Sequence, residues 1–373
     1  MTPTHWSEAD QQFMHKAIDV AWRGLYTTDP NPRVGCVLVS DGRVIADGWH
    51  ERAGGPHAER NALATAGAAA RGSTCYVTLE PCSHTGRTGP CADALIEAGV
   101  KRVVAAMQDP NPLVAGQGLA KLRDAGIEVD CGLLEPQARE LNPGFCKRME
   151  SGLPWVRIKL AMSLDGRTAL ADGESKWITG PLARESVQRL RARSSAIVTG
   201  IGTVLADDPA LTVRKEQWHE QRYPGEVRQP LRVILDPRLR IAPDAAVLTG
   251  PGEALVITGG ESEAVKALRN KGVEVVAAPG SGSGLDLPQV LRLLAERGCN
   301  EVLVEAGSTL AGAFVSEGLF DELVLYMAPT LLGPEARPLL KLPLLASMAQ
   351  RPILSISHLQ QVGDDICVTL RKA

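Results

Sequence analysis

The residues best suited to chemistry lie in two short stretches, "PHAERNAL" (56–63) and "PCSHTGRTGPC" (81–91), which supply His57, Glu59, Cys82 and Cys91. Histidine and cysteine are zinc ligands, and a zinc ion with only three protein ligands keeps a position open for water. Pro56 and Pro90 each stand just ahead of a helical run. His57 and Cys91 therefore belong to first turns, whose free N–H groups and positive dipole end favour a thiolate. Residues two apart on a helix point about 200° away from each other, so His57 and Glu59 cannot bind side by side. Glu59 is placed instead to move protons. Cys75 begins the strand that leads to Cys82, about 20 Å away at strand rise, and is out of reach. His84 is the one candidate to close the shell, and a closed, structural site leaves Glu59 without a task. A histidine with two buried thiols and no metal is the plainest alternative; the polar, Gly-rich loop between the cysteines argues against it.

One His, two Cys and a Glu that handles protons without touching the metal is the logic of zinc deaminases. Such a site activates a water to attack a ring carbon bearing an amino group, and C–NH2 becomes C=O. The spacing departs from the short form P-C-x-x-C, because eight residues separate Cys82 from Cys91.

Elements with α/β alternation must position these groups. A helix is expected over 8–25, strands at 34–40, 43–50, 74–80 and 102–108, and helical runs at 58–70, 91–98 and 117–125. The stretch 141–155 mixes Pro, Gly and charge without a clear period, and a boundary is expected near residue 150. Beyond it, strands at 156–166, 196–200, 231–236, 254–258, 273–278 and 301–307 alternate with helical runs at 181–193, 262–270, 288–297 and 308–317. The last two apolar stretches, 321–333 and 354–372, have little helix between them. They read as antiparallel edge strands of a mixed sheet.

Composition narrows the partners. The chain has 373 residues, enough for two domains, with a net charge of -3 and 4% aromatic residues. A nucleic-acid base deaminase would bring a basic groove and stacking aromatics, so a small-molecule substrate is expected. A structural zinc module is the rival from another class. The N-terminus has no signal-peptide pattern and no stretch is long and apolar enough to span a membrane, which points to the cytoplasm. Eight scattered cysteines read as buried thiols rather than a disulfide framework.

"TTDPNPRVGCVLV", "PHAERNAL", "YVTLEPCSHTGRTGPC" and "MQDPNPLVAGQGL" in the first half resemble the deaminase domain of the bifunctional riboflavin-biosynthesis deaminase/reductase family. "KLAMSLDGRTALADGESKWIT", "TVLADDPALTVR" and "VEAGSTLAGAF" resemble that family's reductase domain, so the likeness covers nearly the whole chain. It implies an α/β protein with a cytidine-deaminase-like three-layer domain with a mixed sheet over 1–148, and a dihydrofolate-reductase-like domain over 149–373. Two consecutive reactions are implied: zinc-dependent hydrolytic deamination of 2,5-diamino-6-ribosylamino-pyrimidinone 5′-phosphate, then NADPH-dependent reduction of ribosyl to ribityl. By resemblance, Asn31, His50, His84, Arg87 and Asn111 bind the deaminase substrate. The same likeness assigns Ala161, Trp177, Thr203, Asp207, Gly307, Ser308, Thr309, Leu310, Ala311, Gly312 and Ala313 to NADPH. It assigns Ser175, Arg191, Leu211, Arg214 and Glu305 to the reductase substrate. A homo-oligomer, dimer or tetramer, is expected.

The residues themselves add some weight. Arg87 sits among glycines that let a phosphate approach, and Asn31 carries an amide suited to a pyrimidine edge or to an Asn-Pro turn. Spacing does not choose among Arg189, Arg191 and Arg193. "TGIGTVL" puts Leu205 where a last glycine would complete a dinucleotide fingerprint, so no Rossmann domain is expected. Arg238 and Arg240 are candidates for a cofactor 2′-phosphate. No general acid for the reduction is evident.

Overall fold

Ser7 opens the first helix by accepting the Asp10 N–H at 3.0 Å, while the Asp10 carboxylate accepts the Ser7 N–H at 3.2 Å, a reciprocal cap. The computed structural model describes residues 6–83, 89–214, 217, 227–278, 280 and 284–372. They form two compact units, one ending at Gly152 and one starting at Leu153.

The first unit runs α1 (Glu8–Ala21), β1 (Gly35–Ser40), β2 (Arg43–Trp49), α2 (Ala58–Ala66), β3 (Thr74–Val77) and α3 (Cys91–Ala98). It continues with β4 (Arg102–Ala105), α4 (Gln117–Asp124), β5 (Glu128–Cys131), α5 (Glu135–Leu141) and α6 (Pro143–Ser151). The sheet order is β2-β1-β3-β4-β5, with β1 antiparallel to both neighbours and β3, β4 and β5 parallel. Period-2 alternation sends Cys36, Leu38, Val77 and Val103 toward α2, α3 and α4, and Val37, Val39, Tyr76 and Val104 toward α1, α5 and α6. Three layers result. Gly48 lets α2 lie close on β2, since a Cβ there would stand 2.5 Å from the Ala62 nitrogen.

Three elements here differ from the expectations, and one of them, α5, lies where no helical run was read. The stretch 141–155, read as a boundary without a clear period, holds α6: Pro143 occupies the first turn and Gly152 the left-handed position after the end, so its Pro and Gly punctuate a helix. The short β5 was not expected at all, and its four residues, Glu128 to Cys131, include only one β-branched side chain.

The second unit begins with β6 (Trp155–Ser163), β7 (Arg167–Ala169), α7 (Pro181–Arg193), β8 (Ala196–Gly200), α8 (Ile201–Asp207) and β9 (Leu231–Leu235). Then come α9 (Ala246–Thr249), β10 (Ala254–Thr258), α10 (Glu263–Asn270), β11 (Glu274–Ala277), α11 (Leu287–Glu296), β12 (Glu301–Val304) and α12 (Ser308–Ser316). It ends with β13 (Glu322–Ala328), β14 (Arg337–Pro338), β15 (Leu354–Val362) and β16 (Asp365–Lys372). The main sheet has the order β11-β10-β9-β8-β12-β6-β13-β16-β15, parallel as far as β13 and antiparallel beyond it. The mixed sheet is as expected, but β13 is not an edge strand. It pairs in parallel with β6 and antiparallel with β16, and so carries the change of direction. At the middle of the sheet Arg157, 3% exposed, donates to Glu322 at 2.6 Å and Glu301 at 3.1 Å, tying β6 to both neighbours. All eight cysteines are free thiols. Among the described residues no helix is long and apolar enough to cross a membrane.

Candidate functional site: a metal cradle and a helix-start face

His57 is the cap residue of α2 and Cys91 the first residue of α3, while Cys82 lies in the loop that leaves β3. Their ligand atoms meet. Cys82 Sγ is 3.5 Å and Cys91 Sγ 3.4 Å from His57 Nδ1, and all three atoms lie within 4.8 Å of one another. Tetrahedral zinc, with bonds of about 2.3 Å to sulfur and 2.0–2.1 Å to nitrogen, needs sulfur-to-nitrogen separations of about 3.5 Å. Both sulfur-to-nitrogen distances match that ion. Among the described residues this is the sole cluster of three such donors, and it has no fourth. Backbone bonds fix the cradle: the Cys91 N–H donates to Cys82 Sγ at 3.3 Å and the Ala92 N–H to the Cys82 carbonyl at 3.1 Å. Arg60 holds the Gly89 carbonyl through Nε and Nη2 at 3.1 and 2.7 Å. Hydrogen bonding from Cys91, then His57, overrides burial and lowers the Cys82 thiol to about 4.

Glu59 follows on the first turn of α2, buried at 3% exposure beside Cys91. Burial pushes it above the usual carboxylate range. Asn31 and His50 stand together, Nδ2 to Nε2 at 3.1 Å, and the His50 ring packs edge-on to His57 with centroids 5.4 Å apart. The other His50 nitrogen, Nδ1, lies 2.9 Å from the Pro56 carbonyl, and burial lowers its pKa. Asn31 is thus a neighbour of the cradle as well as part of a turn. Asn142 supports this corner by accepting the Arg33 N–H at 2.7 Å and donating to the Arg33 carbonyl at 2.8 Å. Asn111 stands in a tight turn after β4, with Oδ1 accepting the Leu113 N–H at 3.1 Å. His84 and Arg87 lie outside the described residues.

In the second unit β8 and β12 are parallel neighbours, and each feeds a helix at its carboxyl end. Gly200 and Gly307 occupy the two cap positions and supply no side-chain cap. The first N–H groups of α12 therefore stay open to a ligand, the usual setting for a pyrophosphate. Thr203 Oγ1 accepts the Gly307 N–H at 3.3 Å and joins the two helix starts. Gly307 and Thr309 are exposed, and a side chain at Gly307 or Gly202 would meet nothing within 4 Å. The face is open at both glycines. Ala311 is in the core and Gly312 packs against the Lys341 backbone, so these two face away from any ligand. Trp177 is 66% exposed, with the Arg184 guanidinium 4.6 Å from its ring centroid. Ala161 lies on β6 opposite Tyr326, Ser175 in the loop before α7, and Asp207, exposed, at the end of α8.

The three arginines of α7 separate clearly. Arg189 pairs with Glu185, Arg193 with Glu301, and Arg191 with Glu305 through two bonds at 2.7 and 2.8 Å. Arg191 also donates to the Thr212 carbonyl at 2.9 Å, leaving two of its five N–H groups for a ligand. Burial would raise Glu305, but Arg191 outweighs it and keeps the carboxylate ionised. Leu211 is buried at φ 51, a left-handed conformation that non-glycine residues seldom adopt away from ligand clamps. Arg214 is exposed, its backbone N–H donating to Gln188 at 3.0 Å. Arg238 and Arg240 are exposed beyond β9.

Known protein families match both units. The family model described as RibD C-terminal domain matches residues 154–368, more than half of the chain. The model described as cytidine and deoxycytidylate deaminase zinc-binding region matches residues 7–107. Riboflavin biosynthesis protein RibD of Escherichia coli K12 is 50% identical over 365 residues, covering 97% of this chain and 99% of that protein. The chain belongs to the RibD family. It is a bifunctional enzyme of riboflavin biosynthesis, a zinc-dependent deaminase joined to an NADPH-dependent reductase. RibD of Haemophilus influenzae is also 50% identical, covering 97% of each chain. Acinetobacter baumannii RibD superposes with a TM-score of 0.91 at 47% identity, covering 98% of this chain and 99% of that one. A Thermotoga maritima structure, named as a diaminohydroxyphosphoribosylaminopyrimidine deaminase/5-amino-6-(5-phosphoribosylamino)uracil reductase, gives 0.84 at 35%, covering 98% and 99%. The RibD relatives bear out the fold expectation, a cytidine-deaminase-like first unit and a reductase second unit.

Within this RibD frame, two residues escaped the sequence reading. Lys159 on β6 has its pKa lowered by burial, opposed by Glu305 and reinforced by Arg191. Its signal was a second cation, two residues after Arg157, in the apolar run "VRIKLAM". Glu80, at the end of the "YVTLE" stretch, binds only backbone groups and left no signal of residue type.

Proposed function

We propose that residues 1–148 deaminate 2,5-diamino-6-ribosylamino-4(3H)-pyrimidinone 5′-phosphate and residues 149–373 reduce the product to 5-amino-6-ribitylamino-uracil 5′-phosphate. The name of the Thermotoga maritima enzyme points to this substrate and its uracil product. The observation that carries the reading is the triangle of His57, Cys82 and Cys91 with a buried Glu59 against it. His57, Cys82 and Cys91 would hold the zinc, which when bound supplies an activated water with a pKa near about 7. Glu59 takes a proton from the attacking water and delivers it to the ring nitrogen, then takes the second proton from the new hydroxyl and delivers it to the amino group, which leaves as ammonia. Asn31 and His50 face the base, with Asn111, His84 and Arg87 completing the substrate site and Arg87 meeting the phosphate.

In the reductase half, bound NADPH supplies the hydride. Thr203, Gly307, Ser308, Thr309 and Leu310 offer backbone and hydroxyl groups to it, with Ala161, Trp177 and Asp207 around them. Ala311, Gly312 and Ala313 support the helix start from behind. Arg191, Glu305, Ser175, Leu211 and Arg214 face the substrate, and the buried amine of Lys159 joins them. Arg191 then orients Glu305 as much as it binds phosphate.

Glu59→Ala tests the first reaction. The variant keeps one zinc per chain, loses ammonia release by at least about a thousandfold and still reduces the deaminated compound with NADPH. Unchanged ammonia release would defeat the mechanism. We also infer a cytoplasmic homo-oligomer. Ile353, Ile356 and Leu359 on and beside edge strand β15 are all more than half exposed, an uncovered apolar surface suited to a second copy.

A further inference from the structure

We propose that Glu80 is a positioning residue for deamination, clamping the 109–119 segment against the Pro81–Cys82 step and so setting the wall of the substrate site. The proposal rests on the reading of the metal cradle as the deaminase centre. Glu80 is buried at 6% exposure, and its carboxylate accepts four backbone N–H groups. Oε2 receives those of Asp109 at 3.1 Å and Gly116 at 2.8 Å; Oε1 receives Gly118 at 2.8 Å and Leu119 at 3.3 Å. The Glu80 N–H donates in turn to the Met107 carbonyl at 3.0 Å.

Four donors on one carboxylate exceed what a helix cap requires. Gly118 and Leu119 belong to the first turn of α4, which Gly116 leaves without a side-chain cap, so half of the clamp does that work. The other half reaches Asp109 and Gly116, which bracket residues 110–115 within the connection between β4 and α4. This connection includes Asn111. It leaves the carboxyl end of β4 beside the carboxyl end of β3, whose outgoing loop delivers Cys82, and ligands of α/β sheets bind at such ends.

A second observation is independent of the carboxylate. Gly118 approaches Pro81 so closely that a Cβ would stand 1.8 Å from the Pro81 carbonyl oxygen. The segment is thus pressed onto the residue just before a metal ligand. Any retreat of 109–119 moves that wall relative to the cradle while leaving His57, Cys82 and Cys91 in their own backbone bonds.

Glu80→Gln replaces two acceptor oxygens by one and turns an NH2 group toward N–H donors. The expected result is an approximately tenfold rise in KM for the pyrimidine substrate with kcat within about threefold of wild type. Zinc stays at one per chain, reduction of the deaminated product is unchanged, and the amides of Gly116, Gly118 and Leu119 exchange faster with deuterium. Gly118→Ala, which leaves the carboxylate in place, should raise KM in the same way. A plain structural cap would lower stability without dividing KM from kcat. Loss of zinc together with kcat in Glu80→Gln would overturn the proposal by assigning Glu80 to the metal ligand. So would wild-type KM in both variants. Failure of the deaminase reading is a separate result, since it appears as no ammonia release from the wild-type chain.

Discussion

The two halves present their candidate cofactor sites at the carboxyl ends of parallel strands, but they build them from different material. In the first, three side chains from separate elements bring one nitrogen and two sulfurs within 4.8 Å. In the second, the surface is two helix starts capped by glycine and joined by a single Thr203 hydroxyl. A side-chain site concentrates its function in a few replaceable atoms. A backbone site spreads it over N–H groups that no substitution short of proline removes, and therefore degrades gradually.

The largest test of this contrast is Cys82→Ala. One sulfur is lost from a three-ligand set, so zinc content falls well below one per chain and ammonia release drops by at least about a thousandfold. NADPH-dependent reduction of the deaminated compound, supplied directly, should remain. Equal loss of both activities would break the comparison. Thr203→Val sharpens it from the other side, because it removes the acceptor of the Gly307 N–H and keeps the shape. One neutral hydrogen bond, about 1 kcal/mol, sets the scale, so KM for NADPH should rise only about fivefold. A hundredfold rise would mean that the hydroxyl itself is the binding group.

This difference in material also explains what the sequence revealed. His57, Cys82 and Cys91 were legible because their atoms have no other reason to flank a polar loop, and Glu59 followed from helix geometry. Glu80 was invisible, since its partners are backbone N–H groups that every residue has. The choice among Arg189, Arg191 and Arg193 needed the neighbouring strand: Glu305 directly follows β12, and only the fold brings it to Arg191. The alternating strands were read well, whereas α6 was missed because Pro143 and Gly152, which delimit it, resemble linker residues.

The last test reads stability rather than activity and concerns the frame around the metal cradle. Burial raises Asp10, but hydrogen bonds from Ser7, Tyr76 and Arg102 outweigh it and hold the carboxyl at about 2. Its folded pKa lies below the unfolded value, so its stabilisation is full above the ordinary carboxylate range and is lost as pH falls through about 2. Asp10→Asn should accordingly cost about 2 kcal/mol in unfolding experiments at pH 6, and the gap to wild type should close between about pH 4 and pH 2. A gap independent of pH would assign the effect to packing.

The bonds across the base of the cysteine loop have a bearing on how such enzymes diversify. Cys91 N–H to Cys82 sulfur, Ala92 N–H to the Cys82 carbonyl and Arg60 to Gly89 fasten both ends of the loop, so the ligands keep their spacing whatever lies between them. Lengthening a closed loop costs only a few tenths of a kcal/mol to about 0.6 kcal/mol per doubling. The eight-residue spacer is therefore an exchangeable cassette: its length and content can be redrawn for a new substrate while the metal-binding geometry is inherited unchanged.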